Sequence, residues 1–214
     1  LAGTGDCNSQ YDVFGNFSRA ITPNATPSPH LQWEPTEQEI FDAITDKRLD
    51  EDAMATIPKG MSARAFAAQV ARERLRSAVP DVDEYCDAEI NDSMYFTLFP
   101  NFHPWGAFNR INYRFRPVGT KVDECLMECI YTEDFEGDER PAPAEYIELG
   151  LDQEWIELIP EIGNLARVFQ QDSFNLPKVQ KGLETFRADG LTLTKYQEVK
   201  IRHWHAMAEK FITR

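Results

Sequence analysis

Between Ile111 and Arg116 apolar and polar side chains alternate one for one, with Ile111, Tyr113 and Phe115 set against Asn112, Arg114 and Arg116. A repeat of two puts the rings on one side of an extended chain and the guanidinium groups on the other, which describes a half-buried antiparallel strand. Such a strand needs partners. The aromatic stretch from Glu89 to Phe99, closed by Pro100-Asn101, offers one upstream, and Pro117-Val118-Gly119-Thr120 turns the chain into another across Val122 to Thr132. Gln10 to Ser18 reads as extended too, and Pro23, Pro27 and Pro29 keep the following loop from being helical.

Helical spacing flanks these strands. Thr36 and Glu39 stand in capping-box spacing ahead of Ile40, Phe41 and Ile44, which predicts a helix from 36 to about 48. A second helix starts at Ser62, runs through Phe66, Val70 and Leu75, and is stopped by Pro80. Beyond a charged, Pro-rich loop from Glu133 to Ala144 the pattern is helical, and the final helix spans about Thr194 to Ile212 with Tyr196, Val199, His203, Met207 and Phe211. Strands in the middle with helices around them make an α+β layout. With 214 residues, one domain is expected, large enough to hold a core without disulfides or a structural metal.

Charge narrows the partners. Lys and Arg number 22 against 36 Asp and Glu, a net charge of −14, so a phosphate backbone is repelled and nucleic acid is excluded. A hydrophobic fraction of 42 % places the chain among folded proteins. No apolar run reaches the roughly 18 residues of a membrane span, and the start at Leu1 carries no signal-peptide pattern, so a cytoplasmic protein is expected. The first residue is not Met, which suggests a trimmed chain or a piece of a longer one. Cys7, Cys86, Cys125 and Cys129 form no CxxC and lie in no zinc spacing with a histidine, so buried, reduced thiols are expected.

One acidic residue breaks the pattern. Leu165, Val168, Phe169, Leu176, Val179, Leu183 and Phe186 form an apolar helical stripe, and the position on it between Phe169 and Leu176 is Asp172. An ionised carboxylate buried alone is so costly that it must be protonated, paired, hydrogen-bonded or bound to a metal. Asp172 is therefore the leading functional candidate, with an ion pair to Arg114 or a local break before Pro177 as the structural readings. His203 and His205 lie about 200° apart on a helix and cannot share an ion, so His203 reads as a packing residue. The run Phe99 to Trp105 is aromatic enough either to line a small apolar pocket or to be core.

The strand Tyr11-Asp12-Val13-Phe14-Gly15, the Ser28-Pro29 loop, Leu98-Phe99-Pro100-Asn101, and Phe169-Gln170-Gln171-Asp172 followed by Val179-Gln180-Lys181-Gly182-Leu183 appear in that order. Together they resemble the large (α) subunit of Rieske non-haem iron aromatic ring-hydroxylating oxygenases. The resemblance spans residues 1–214 as the C-terminal portion of the catalytic domain. It implies a helix-grip fold, a curved antiparallel sheet wrapped around a long C-terminal helix, here incomplete. By the family motif Asp172 would be the carboxylate of a two-histidine, one-carboxylate triad holding Fe(II). Ser93, Tyr95, Asn101, Trp105 and Phe108, with Val168, would line the cavity for an aromatic substrate.

The resemblance also implies dioxygen as co-substrate, electrons from a reductase and ferredoxin through a Rieske [2Fe-2S] cluster, and an α-subunit homo-oligomer. The Cys-x-His, Cys-x-x-His and His-x4-His series that the family uses for its two centres does not occur in this sequence. The Rieske domain is thus outside the chain, and the chain alone is expected to be inactive. Two rivals stand beside this reading. One is a non-catalytic helix-grip module that binds a small apolar ligand; the other is an interaction domain whose aromatic face is packed solid.

Overall fold

A computed structural model describes residues 9–28, 30–45, 55–106, 108–132, 135, 138–159, 162 and 165–213. The chain divides into two compact units where one domain was expected, Leu1–Asp134 with Leu193–Arg214, and Phe135–Thr192. The charged, Pro-rich loop marks the division, since so polar a segment has little apolar surface with which to join a core.

Among the described residues of the first unit six antiparallel strands follow one another in chain order: β1 (Gln10–Val13), β2 (Phe17–Thr22), β3 (Ser93–Leu98), β4 (Phe102–Pro104), β5 (Ile111–Pro117) and β6 (Cys125–Tyr131). The alternating segment is β5, and it pairs along its whole length with β6 from Ile111↔Tyr131 to Pro117↔Cys125. Its upstream neighbour is not the 89–99 stretch. After the Pro100-Asn101 turn the short β4 pairs Leu98↔Phe102 on one side and His103↔Tyr113 on the other, and so separates β3 from β5. β3 pairs instead with β2, from Thr22↔Ser93 to Phe17↔Leu98.

Between β2 and β3 the chain leaves the sheet for α1 (Glu37–Ile44), α2 (Ala63–Leu75) and the short α3 (Asp87–Asn91). The Thr36 hydroxyl accepts from the Glu39 amide at 3.2 Å and the Glu39 carboxylate accepts from the Thr36 amide at 2.8 Å, which is the expected capping box. α1 ends at Ile44, four residues short of the expected end, and 46–54 lie outside the described residues. At α2 the Ser62 hydroxyl accepts from the Ala65 amide at 3.2 Å, as an N-cap should. Residues 89–91, expected to open a strand, belong instead to α3, where Glu89 reaches back to the Cys86 amide at 2.8 Å and satisfies a first-turn donor.

Two apolar clusters hold these helices. Ala25, Ile40, Phe41, Ala63 and Phe66 form the first, with Phe41 and Phe66 edge to face at 5.0 Å. Ala68, Val82 and Ile90 form the second, with Leu75, Tyr85 and Phe108 packed around them.

The second unit contains α4 (Trp155–Leu158) and α5 (Leu165–Glu184), with Pro177 inside the latter. The chain then returns to the first unit as α6 (Val199–Ile212), which packs against β1 and β2. Among the described residues no helix is long and apolar enough to cross a membrane.

Candidate functional site

Strand register sorts the sheet into two faces, because side chains alternate along each strand and pair in step across the ladder. One face carries Tyr11 of β1, Ser18 and Ala20 of β2, and Tyr95 and Thr97 of β3. It continues through His103 of β4, Tyr113 and Phe115 of β5, and Met127 and Cys129 of β6. Trp105 joins it through a bridge to Tyr95. The other face carries the ion pairs Arg19–Asp12 and Arg114–Glu128, both partly buried.

α6 lies on the aromatic face. Tyr196, just ahead of it, meets the Tyr11 ring edge-on at 5.2 Å and donates its hydroxyl to the Ser9 carbonyl at 2.8 Å. Further along, the Trp204 indole donates to the Pro100 carbonyl at 2.6 Å, and Phe211 stacks on Phe99 at 5.0 Å. His203 sits 3.3 Å from the Gly15 carbonyl as a half-buried packing residue. Between these anchors Lys200 reaches the sheet. Its ammonium donates to the Tyr95 carbonyl at 3.1 Å and stands 4.3 Å from the centre of the Tyr95 ring.

Rings spread outward from that point. Tyr95 and Trp105 lie 5.4 Å apart, Trp105 and Tyr113 meet edge to face at 6.0 Å, and His103 meets Phe115 edge to face at 5.4 Å. His103 Nδ1 is 3.2 Å from the Thr97 hydroxyl. Burial holds the Lys200 amine down to about 8, because a desolvated ammonium is disfavoured. The His103 imidazole is also held below its ordinary range, first by burial and then by the Lys200 charge. Burial pushes the Cys129 thiol up to about 11 and leaves it an unreactive thiol at neutral pH.

Of the expected pocket residues, Tyr95 and Trp105 come together on this face. The others have different employment. Ser93 accepts from the Asn24 amide side chain at 3.1 Å, at the end of β2. Asn101 donates to the Phe115 carbonyl at 2.8 Å and fastens the turn between β3 and β4. Phe108, at φ 59°, packs edge to face on Tyr85 at 5.2 Å and belongs to the cluster under α2 and α3. Val168 is half-buried on α5, in the second unit. Cys86 and Cys125 are exposed free thiols, not buried as expected, while Cys129 is half-buried.

Lys200 was not anticipated, although its signal is readable. Tyr196, Lys200, Trp204, Met207 and Phe211 recur at helical spacing, so a lysine occupies the stripe that covers the sheet. A cation on an apolar helical stripe carries the same information as the carboxylate at Asp172.

Asp172 itself is exposed, contrary to the expectation of burial. In the second unit the Gln170 side chain accepts from the Trp155 amide at 2.8 Å, Ser173 accepts from the Trp155 indole at 3.1 Å, and Phe169 packs on the Trp155 ring at 5.2 Å. These contacts, with buried Ala166, turn the face centred near Phe169 and Ser173 inward. The apolar stripe that includes Asp172 lies about a quarter turn away at ~100° per residue. Leu176, Val179, Leu183 and Phe186 on that stripe are accordingly exposed.

Asp172 has no hydrogen bond and no cation from the described residues, and the proposed partner Arg114 is taken by Glu128 at 2.5 Å. Desolvation by its neighbours nevertheless holds the Asp172 carboxyl above the usual range. A carboxylate alone does not hold Fe(II), and among the described residues no three His, Cys, Asp or Glu side chains gather to do so. The second unit contains no histidine. The residues present thus supply at most one ligand of an iron site.

No known protein family, no curated protein and no solved structure matches the chain.

Proposed function

We propose that this chain is the C-terminal portion of the catalytic domain of an aromatic ring-hydroxylating oxygenase α subunit, which adds dioxygen to an aromatic ring at a mononuclear Fe(II). The observation that carries the reading is Asp172, a carboxylate without a partner among the described residues, set in an apolar helical stripe whose Leu176, Val179, Leu183 and Phe186 are exposed. Two histidines from a part of the protein outside this sequence would complete the ligand set, and the Rieske [2Fe-2S] cluster would sit there too. Electrons would arrive from a reductase and ferredoxin. The packing of α6 against an antiparallel sheet supports the helix-grip fold that this reading requires.

The 214-residue chain by itself is inactive in this reading, because one ligand cannot retain the metal. Purified alone, it should show no NADH-dependent hydroxylation. Expressed together with the coding sequence upstream of Leu1, the protein should bind mononuclear iron, and Asp172→Ala should release that iron while the visible absorbance of the Rieske cluster remains. Iron content indifferent to Asp172→Ala overturns the assignment.

The aromatic face beside Lys200 favours a second reading, a helix-grip module that binds a small ring compound without oxidising it. Ligand binding by a protein that carries no iron even with its upstream sequence would select this alternative.

A further inference from the structure

We propose that the sheet face beside α6 binds a small aromatic carboxylate, with its ring against Tyr95 and Trp105 and its carboxylate on the Lys200 ammonium. An ammonium has three donors, and Lys200 spends one on the Tyr95 carbonyl, 3.1 Å away. Among the described residues no carboxylate pairs with it. The surrounding groups cannot substitute for an anion. Burial and the Lys200 charge both disfavour a cationic His103, and an imidazole is no anion in either form; Thr97 is an uncharged hydroxyl engaged with His103 at 3.2 Å, and Tyr95, Trp105 and Tyr113 offer rings. A cation placed on an apolar stripe under partial burial carries a desolvation cost that a carboxylate ligand would offset.

Ring chemistry supplies the other half of the specificity. Tyr95, Trp105 and Tyr113 form a run of neighbouring rings at 5.4 and 6.0 Å, all half-buried, so each keeps part of its surface open. An aromatic ring laid against them gains apolar contact and favourable ring geometry. A purely apolar arene would leave the Lys200 charge unpaired, and a ringless acid such as acetate would leave the aromatic run uncovered. The face therefore selects a molecule with both features.

That this ligand is the substrate rests on the oxygenase reading; that it binds does not. The probe is 4-fluorobenzoate, titrated into the full 214-residue chain and followed by fluorine NMR against the uncharged 4-fluorobenzamide, with acetate as competitor. The acid should bind about tenfold more tightly than the amide, a difference typical of one charge-assisted hydrogen bond, and acetate should not displace it at equal concentration. Lys200→Met should abolish the preference, and Lys200→Arg, which keeps the charge, should retain it. Equal binding of acid and amide, a preference that survives Lys200→Met, or displacement by acetate overturns the proposal. Iron content of the longer protein is a separate readout, so failure of the oxygenase reading and failure of this one are told apart.

Discussion

The Asp92 carboxylate and the Arg64 guanidinium meet prong to prong, Nη1 to Oδ1 at 2.6 Å and Nη2 to Oδ2 at 3.0 Å, with Asp92 only 7 % exposed. The Asn24 amide also donates to Asp92 at 3.1 Å, and Arg64 donates to the Asn24 carbonyl at 2.9 Å. Three segments are thereby tied together: the end of β2, the first turn of α2 and the entry to β3. Removal of one partner leaves a buried charge uncompensated, so Asp92→Ala should lower unfolding free energy by about 3 kcal/mol. Urea denaturation followed by circular dichroism measures this, and a loss within experimental error of zero would contradict it.

Acid sensitivity should be traceable to Glu128. The Arg114 and Arg116 guanidinium groups hold its carboxyl down to about 2, at 2.5 and 2.7 Å. Because the folded-state value lies below the unfolded one, the stabilisation is full above the ordinary Glu value of about 4.3 and is lost as pH falls from there towards 2. Glu128→Gln should flatten that part of the stability profile relative to the parent chain, as read from melting temperature across the acid range. The two arginines are open to water, so the effect is expected to be modest.

The second unit should depend on Trp155. Its indole is buried against Phe169 and donates to Ser173 at 3.1 Å. Trp155→Ala should remove about 3–5 kcal/mol from the unit it anchors. Ser173→Ala, which strands the indole N–H, should cost about 1–2 kcal/mol. Hydrogen exchange resolved by peptide should show the loss over α4 and α5 while β2 and β3 stay protected.

His103 should report on Lys200. Burial is the main cause of its lowered value and the Lys200 charge adds to it. Lys200→Met should therefore raise the His103 value while leaving it below the ordinary imidazole range, as followed by imidazole carbon NMR across pH 4–8. An unchanged titration would mean that the ammonium does not face the ring.

Sequence periodicity by itself determined the local elements. Alternation fixed β5, the Pro117-Val118-Gly119-Thr120 turn pointed to β6, the Thr36–Glu39 box fixed the start of α1, and Ser62 fixed the start of α2, because each depends on neighbours a few residues away. The distinction of Asp172 and the aromatic character around Phe99 to Trp105 were likewise readable as departures from an otherwise regular pattern. Tertiary structure alone decided which residues share a face. Three residues of β4 are too few to announce themselves, yet they part β3 from β5 and place Trp105 beside Tyr95 and His103 beside Thr97. Phe108 joined the helical cluster, not the pocket, because its left-handed backbone turns it towards Tyr85. The inward face of α5 was set by two hydrogen bonds to Trp155, and such polar anchors can outweigh a simple count of apolar residues. Lys200 met the sheet only through the return of α6 after the whole second unit, a pairing over 105 residues that no local pattern encodes.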